Sequence, residues 1–264
     1  MSRVAIVTGA ARGIGAATVV ALADEGWRVV AVDRAGDDPR LPYALGSQAD
    51  LEATVASANE AAGEERARGE VADATDADAM AALVSRAEQW GGVEAIVANA
   101  GVIAGGAPAW ELSPEREDAV VEVCLRGVMV AARAGIPALL RRPEPRGGRF
   151  VATASTASFR GLPGLAAYCA AKAGVVGFVR ALGTELRGTG VTANAVAPGS
   201  TDTEILAESA RIYDLESASV FSHQQPIERL IDPDEVAGMI AWLLGPRSAA
   251  VTGATLAVDG GLSL

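Results

Sequence analysis

Lysine is nearly missing from this 264-residue chain, which has one, Lys172, beside 21 arginines. Histidine is as scarce, and a single His223 excludes a histidine-rich metal site. Two cysteines, Cys124 and Cys169, are too few for a disulfide framework and lack metal-ligand spacing. Aromatic residues make up only 4%, so the core has to be built from Ala, Val and Leu. Basic charge is short overall. A formal net charge of −11 argues against nucleic acid or an anionic membrane as a partner held by a general field. No uninterrupted apolar run approaches the ~18 residues that would suggest a membrane span. The N-terminal "RVAIVTGAARG" meets glycine too soon for a signal peptide. A reduced, cytoplasmic, metal-free protein is expected.

What is present is a rhythm. Short β-branched runs alternate with longer helical patterns, the mark of βαβ units and a parallel sheet. Strands are expected at 4–8, 28–33, 69–73, 94–99, 149–155, 191–197 and 254–259. Helices are expected near 14–26, 48–62, 76–90, 114–141, 166–187 and 233–244. Several strands are apolar on both faces, as when helices cover both sides of a sheet. The expected fold is α/β: a Rossmann-like, doubly wound, seven-stranded parallel sheet forming one domain over residues 1–264. Two segments exceed a minimal βαβ plan. Residues 34–47 make a long connection after the second strand, where ~2–6 residues are usual. Residues 200–231 make a long excursion after the sixth, a place where substrate lids grow.

The stretch "VAIVTGAARGIGAATVVALADEGW" reads as strand, glycine-rich turn and helix. Gly9 and Gly13 let the backbone turn sharply against a pyrophosphate, and Gly15 permits close helix–strand packing. Eighteen residues after Gly15, the second strand ends in Asp33, an acid placed for the adenosine ribose. A carboxylate there accepts from ribose hydroxyls and repels a 2′-phosphate, which favours NAD over NADP. Arg12 and Arg34 lie nearby as cations that dilute this argument, unless they are solvated loop residues.

The lone lysine stands four residues after Tyr168, in "YCAAKAG". On a helix the two side chains share a face, one turn apart. With "TGAARGIG" (8–15), "ANAG" (98–101), Ser155 and "APGSTDT" (197–203), the chain resembles the short-chain dehydrogenase/reductase family. The motifs occur in the family's order, and "VTGATLAVDGG" (251–261) resembles its last strand. The resemblance implies catalysis by Ser155, Tyr168 and Lys172. It implies cofactor contacts from Gly9, Arg12, Gly13, Ile14, Gly15, Asp33, Arg34, Asp73, Ala74, Asn99, Ala100, Gly101, Tyr168, Lys172, Pro198, Gly199, Thr201 and Thr203, and no metal. Ser158 is an alternative to Ser155, and Thr201 and Thr203 have an alternative use as helix caps.

The chemistry accounts for the residue types. A base must take the alcohol proton as hydride leaves carbon. A free phenol, with a pKa near ~10, is too weakly ionised to do so at neutral pH. An ammonium one turn away favours the phenolate. One departure stands out. The family often has Asn where this chain has Cys124, in "VCLRGV", and that Asn helps hold a proton-relay water. A thiol is a weak donor and acceptor, so the relay must differ, and Cys124 reads best as a small buried side chain.

A narrower resemblance is to mycofactocin-coupled members of the family, with carveol dehydrogenase-like proteins as a related branch. It rests on "GWRVVAVDRAGDDPRLPYALGSQADLEATV", "GVIAGGAPAWE", "RRPEPRGGRFVA" and "LPGLAAYCAAK". It implies NAD held without free exchange beneath the 34–47 insertion, with Leu41, Pro42, Tyr43 and Leu45 folded over the adenosine. Mycofactocin would then be the external electron acceptor. The alternatives are an ordinary NAD-dependent alcohol dehydrogenase with exchangeable cofactor, a non-catalytic NAD-binding regulator, and an epimerase or dehydratase. Trp110, Phe159, Leu162, Ile205, Leu206, Phe221 and His223 are candidates for surrounding a small alcohol or ketone. The apolar helices at 114–141 and 166–187 have too few polar positions to face water fully, which, with the resemblance, implies a homotetramer.

Overall fold

Seven strands run parallel: β1 (Arg3–Thr8), β2 (Arg28–Asp33), β3 (Ala67–Val71), β4 (Gly92–Ala98), β5 (Arg149–Thr153), β6 (Thr192–Pro198) and β7 (Thr255–Val258). The structure is a computed structural model describing residues 3–264. The strand order is β3-β2-β1-β4-β5-β6-β7, one doubly wound sheet in a single domain, as expected. The order reverses between β1 and β4, so the loops leaving those two strands part and open a crevice at their carboxyl ends.

Among the described residues eight α-helices join the strands: α1 (Gly13–Asp24), α2 (Gln48–Ala62), α3 (Ala77–Trp90), α4 (Pro114–Val121), α5 (Gly127–Arg141), α6 (Ala166–Glu185), α7 (Glu204–Ile212) and α8 (Pro233–Leu244). Four of them start where a side chain accepts from the free N–H groups of the first turn. Ser47 with Asp50, and Asp232 with Glu235, form reciprocal capping boxes at α2 and α8, and Asp76 caps α3.

Alternation along β1 builds two cores. Val4 and Ile6 face Met80, Leu83, Leu139 and Val175 on one side of the sheet. Ala5 and Val7 face Val19, Leu22, Ile240 and Leu243 on the other. Each fully buried Val, Leu or Ile is worth roughly 1.5–3 kcal/mol, whereas an exposed ion pair contributes about 0–1 kcal/mol. The frame is therefore set by these two apolar layers.

Three expectations need correction. The third strand lies two residues earlier than 69–73. It is an edge strand of mixed polarity, "ARGEV", which blurs its period. The single helix expected at 114–141 is interrupted by a π turn at Glu122–Arg126, where one extra residue per turn is accommodated. The excursion at 200–231 contains a helix of its own, α7. In addition, 114–141 and α6 are long and apolar enough, by length and composition, to cross a bilayer, although neither holds an uninterrupted apolar run. In the fold they pack against β4 and β6.

Candidate active site

The carboxyl ends of the strands open into one cleft of about 750 Å³. Of the sequence-predicted site residues, the cleft gathers Gly9, Arg12, Gly13, Ile14, Asp33, Arg34, Asp73, Ala74, Asn99, Ala100, Gly101, Ser155, Tyr168, Lys172, Pro198, Gly199, Thr201 and Thr203. Gly15 alone stays behind the wall. A Cβ on it would lie 1.9 Å from the Gly9 carbonyl oxygen, so its role is to let α1 seat against the turn. Among the described residues no cluster of acidic, His or Cys side chains fits a metal ion.

The glycine-rich end suits a dinucleotide. Gly9 has φ +68°, and a Cβ there would meet the Ala100 Cα at 2.7 Å, so only glycine leaves the backbone bare and tightly turned. No side chain caps the start of α1, and its first turn holds no acid. Its N–H groups and positive dipole end are therefore left for an anion such as a pyrophosphate. Asp33 is fixed for its part by the backbone. Its Oδ2 accepts from Ala11 N and its Oδ1 from Ala35 N, both at 3.1 Å.

A chain of hydrogen bonds links this turn to the lysine. Asn99 Nδ2 donates to Thr8 O at 3.2 Å and Gly9 O at 3.3 Å, while Thr8 Oγ1 accepts from Asn99 N and Ala100 N. Thr153 Oγ1 donates to Asn99 Oδ1 at 2.9 Å, and Lys172 Nζ donates to Thr153 O at 2.8 Å. Lys172 is 3% exposed and Tyr168 9%. Burial pushes the Tyr168 phenol above its ordinary value, a nearby Cys124 adds to this, and a hydrogen bond from Ser155 pulls the other way. Burial likewise lowers Lys172, against the pull of Cys124. Desolvation therefore opposes each charge singly, and a phenolate beside an ammonium relieves both. Ser158, the rival of Ser155, lies outside the cleft with a buried hydroxyl that finds no partner.

Cys124 is fully buried inside the π turn. Its thiol donates to Val102 O at 3.1 Å and accepts from Val102 N at 3.4 Å. It thus pins the segment that follows Asn99–Gly101 and behaves as the small buried side chain expected of it.

The 34–47 insertion docks differently from the expected adenosine cover. Leu41 turns away from the cleft into a cluster with Val102, Val120, Cys124 and Tyr168, and Pro42 is exposed. Tyr43 and Leu45 pack on that cluster while also lining the cleft, and Tyr43 Oη accepts from Ile103 N at 2.9 Å. Tethers hold the segment. Asp38, 2% exposed, binds Arg40 through both carboxylate oxygens and Arg34 Nη1 at 3.0 Å. Arg40 Nη1 reaches on to Glu122 Oε2 at 2.8 Å, at the first residue of the π turn. Arg12, far from a free loop cation, donates to Ala44 O at 2.9 Å and lies 3.8 Å from Glu204.

The 200–231 excursion closes the other side. Thr203 does cap α7, accepting from Leu206 N at 3.4 Å, and its methyl sits 3.1 Å from where a Gly13 Cβ would be. Gln225, buried at 1% exposure, holds the loop after β6 by accepting from Ser200 N and donating to Ser200 O and Arg229 O. Sequence reasoning missed Gln225, which no motif marks, and placed Tyr43 over the adenosine without its contact to Ile103 N. Of the substrate candidates, Leu162, Ile205, Leu206 and Phe221 line the cleft. Trp110, Phe159 and His223 do not, and Trp110 is 85% exposed.

Comparison with known proteins agrees with this geometry. A family model described as enoyl-(acyl carrier protein) reductase matches residues 9–263. A putative ketoacyl reductase of Streptomyces coelicolor is 38% identical over 271 residues, covering 99% of this chain and 97% of the relative. The cis-4-hydroxycyclohexanecarboxylate dehydrogenase of Sinomonas cyclohexanicum is 38% identical over 260 residues, covering 98% and 96%. Among solved structures, carveol dehydrogenase from Mycobacterium avium in complex with NAD superimposes with a TM-score of 0.91 at 30% identity, covering 98% of this chain and 97% of that one.

The cradle makes a direct prediction. Gly15→Ala forces a methyl against the Gly9 carbonyl, and overpacking of this kind costs about 1–3 kcal/mol. Dinucleotide affinity, read by titration calorimetry, is expected to fall roughly 10- to 100-fold. Unchanged affinity would mean that the turn is not the binding surface.

Proposed function

The chain belongs to the short-chain dehydrogenase/reductase family and is an NAD(P)-dependent oxidoreductase of CH–OH and C=O groups. On that premise we propose that it interconverts a secondary alcohol and its ketone with NAD that exchanges freely with solution. The observation that carries this is the meeting of Ser155, Tyr168 and Lys172 in the same cleft as the bare glycine turn. When bound, the nicotinamide supplies the hydride acceptor or donor.

Ser155 holds the substrate oxygen by its hydroxyl, and the Tyr168 phenol oxygen takes or returns the hydroxyl proton. Lys172 favours the phenolate by its charge and, with Asn99 and the Pro198–Thr203 loop, positions the nicotinamide half. Asp33 receives the adenosine ribose. The walls at Leu162, Ile205, Leu206 and Phe221 suit an apolar body around the reacting carbon, and an alicyclic alcohol like the ring substrates named for two of the relatives fits that description.

A second reading keeps NAD permanently bound and passes its electrons to mycofactocin. The tethered insertion, joined to the π turn through Arg40 and Glu122, is the observation that favours slow release. The comparisons lend it no support of their own. We further propose that the protein is cytoplasmic and a homotetramer. On α6, Ala166, Ala170, Ala173, Gly177 and Ala181 all lie on the outer side, small enough for a second copy to approach closely.

Tyr168→Phe removes only the phenol oxygen. Turnover of a secondary alcohol is expected to drop by at least ~100-fold, in the range of a lost general base, while NAD affinity holds. Turnover near that of the wild type would sink the role of Tyr168. Exhaustive dialysis separates the two cofactor readings. Protein that emerges empty and reduces many equivalents of added NAD supports exchange, and protein that retains NAD and turns over once supports the coupled reading. Light scattering at micromolar concentration is expected to give four copies, and a monomer refutes the assembly.

A further inference from the structure

Arg34 directly follows Asp33 and lines the same end of the cleft. In a dinucleotide site, an arginine so placed is the group that accommodates a 2′-phosphate. Left free, it would undo the selection that Asp33 makes. It is not left free. Its Nη1 donates to Asp38 Oδ2 at 3.0 Å, and its Nη2 lies 3.8 Å from Asp73 Oδ2.

Asp38 comes from the insertion, and everything about it is built for holding guanidinium. It is 2% exposed, yet both oxygens are satisfied: Oδ1 by Arg40 N at 3.0 Å and Arg40 Nε at 2.9 Å, and Oδ2 by Arg40 Nη2 at 2.7 Å as well as Arg34. The fork of Arg40 on the carboxylate is bidentate, the stronger form of this contact. The surrounding guanidinium groups hold its carboxyl well below the usual range, so it stays charged. Arg40 is itself anchored to Glu122 of the π turn, which keeps Asp38 from swinging out. The ion pairs set Asp38, Asp73 and Glu122 against Arg34 and Arg40, three carboxylates to two guanidinium groups.

We propose that Asp38 is a specificity-determining residue: by sequestering Arg34 it denies a 2′-phosphate its cation and makes the site selective for NAD. The insertion then acts as a selector of cofactor, whatever its effect on release. This rests on the proposed NAD-binding function and deepens it.

The test is a pair of equilibrium titrations, with NAD and with NADP, on the full-length protein. Asp38→Asn keeps the shape but drops the charge that holds Arg34. NADP affinity is expected to rise by about tenfold, the scale of one new charge-assisted contact, with NAD affinity changed less than about threefold. The double variant Asp38→Asn with Arg34→Gln is expected to lose that gain. A folded Asp38→Asn with unaltered NADP affinity overturns the proposal. Should Asp38→Asn fail to fold, Arg34→Gln alone decides, because Asp38 keeps its fork with Arg40 in that variant. An already sequestered arginine predicts NADP affinity within about threefold of wild type, and a tenfold loss would mean Arg34 serves the phosphate after all. Wild-type protein that is folded but binds neither nucleotide defeats the proposed function itself, and this inference with it. Binding of NAD without the Asp38→Asn gain defeats only the inference.

Discussion

Three strand ends and one helix are tied at a single level by side chains that have few other places to go. Thr8 closes β1, Asn99 follows β4, Thr153 closes β5, and Lys172 comes in from α6. Each link satisfies a group that would otherwise be buried unpaired, at a cost of about 1–3 kcal/mol. The glycine turn, the loop after β4 and α6 therefore share one frame. Moving any of them breaks a hydrogen bond elsewhere in the chain.

That frame explains why the chain's one lysine is where it is. Arginine carries a wide planar fork, and the space by Thr153 receives a single compact ammonium. The same burial disfavours the charge of Lys172 and the phenolate of Tyr168, and the ammonium lies 5.8 Å from the centre of the Tyr168 ring. Around this dry centre the two long connections divide the remaining work. The insertion governs the adenosine end through Asp38 and joins the π turn through Arg40, while the excursion after β6 supplies α7 and the buried Gln225. Arg12 touches both, by Ala44 O and Glu204.

Much of this was legible in the residues. The strands could be read because helices on both faces demand apolar residues at nearly every position, as in "VAIVT" and "RVVAVD". The glycine turn, Asp33 and the Tyr168–Lys172 pair could be read from their spacing, and the other cleft residues from the family resemblance. Other features left no trace. A π turn adds one residue to a helix without a composition of its own, so Glu122–Arg126 looked like ordinary helix. "GDDPR" signals a turn, but that its second acid is buried depends on partners at 34, 40 and 122, which only the fold brings together. Leu41 was expected over the adenosine, but the cluster around Cys124 and Tyr168 takes it instead.

The central claim is that a buried ammonium at Lys172 makes the phenol of Tyr168 an effective base. The pH dependence of kcat/KM for alcohol oxidation, measured on wild type and Lys172→Met, tests it most directly. Methionine keeps most of the unbranched apolar stem of lysine and removes the charge. The account predicts that the ionisation limiting the rate moves up by at least ~1 pH unit in Lys172→Met, the scale of one lost neighbouring charge. A slower variant whose profile keeps the wild-type midpoint would contradict it, leaving Lys172 as a group that only positions the cofactor.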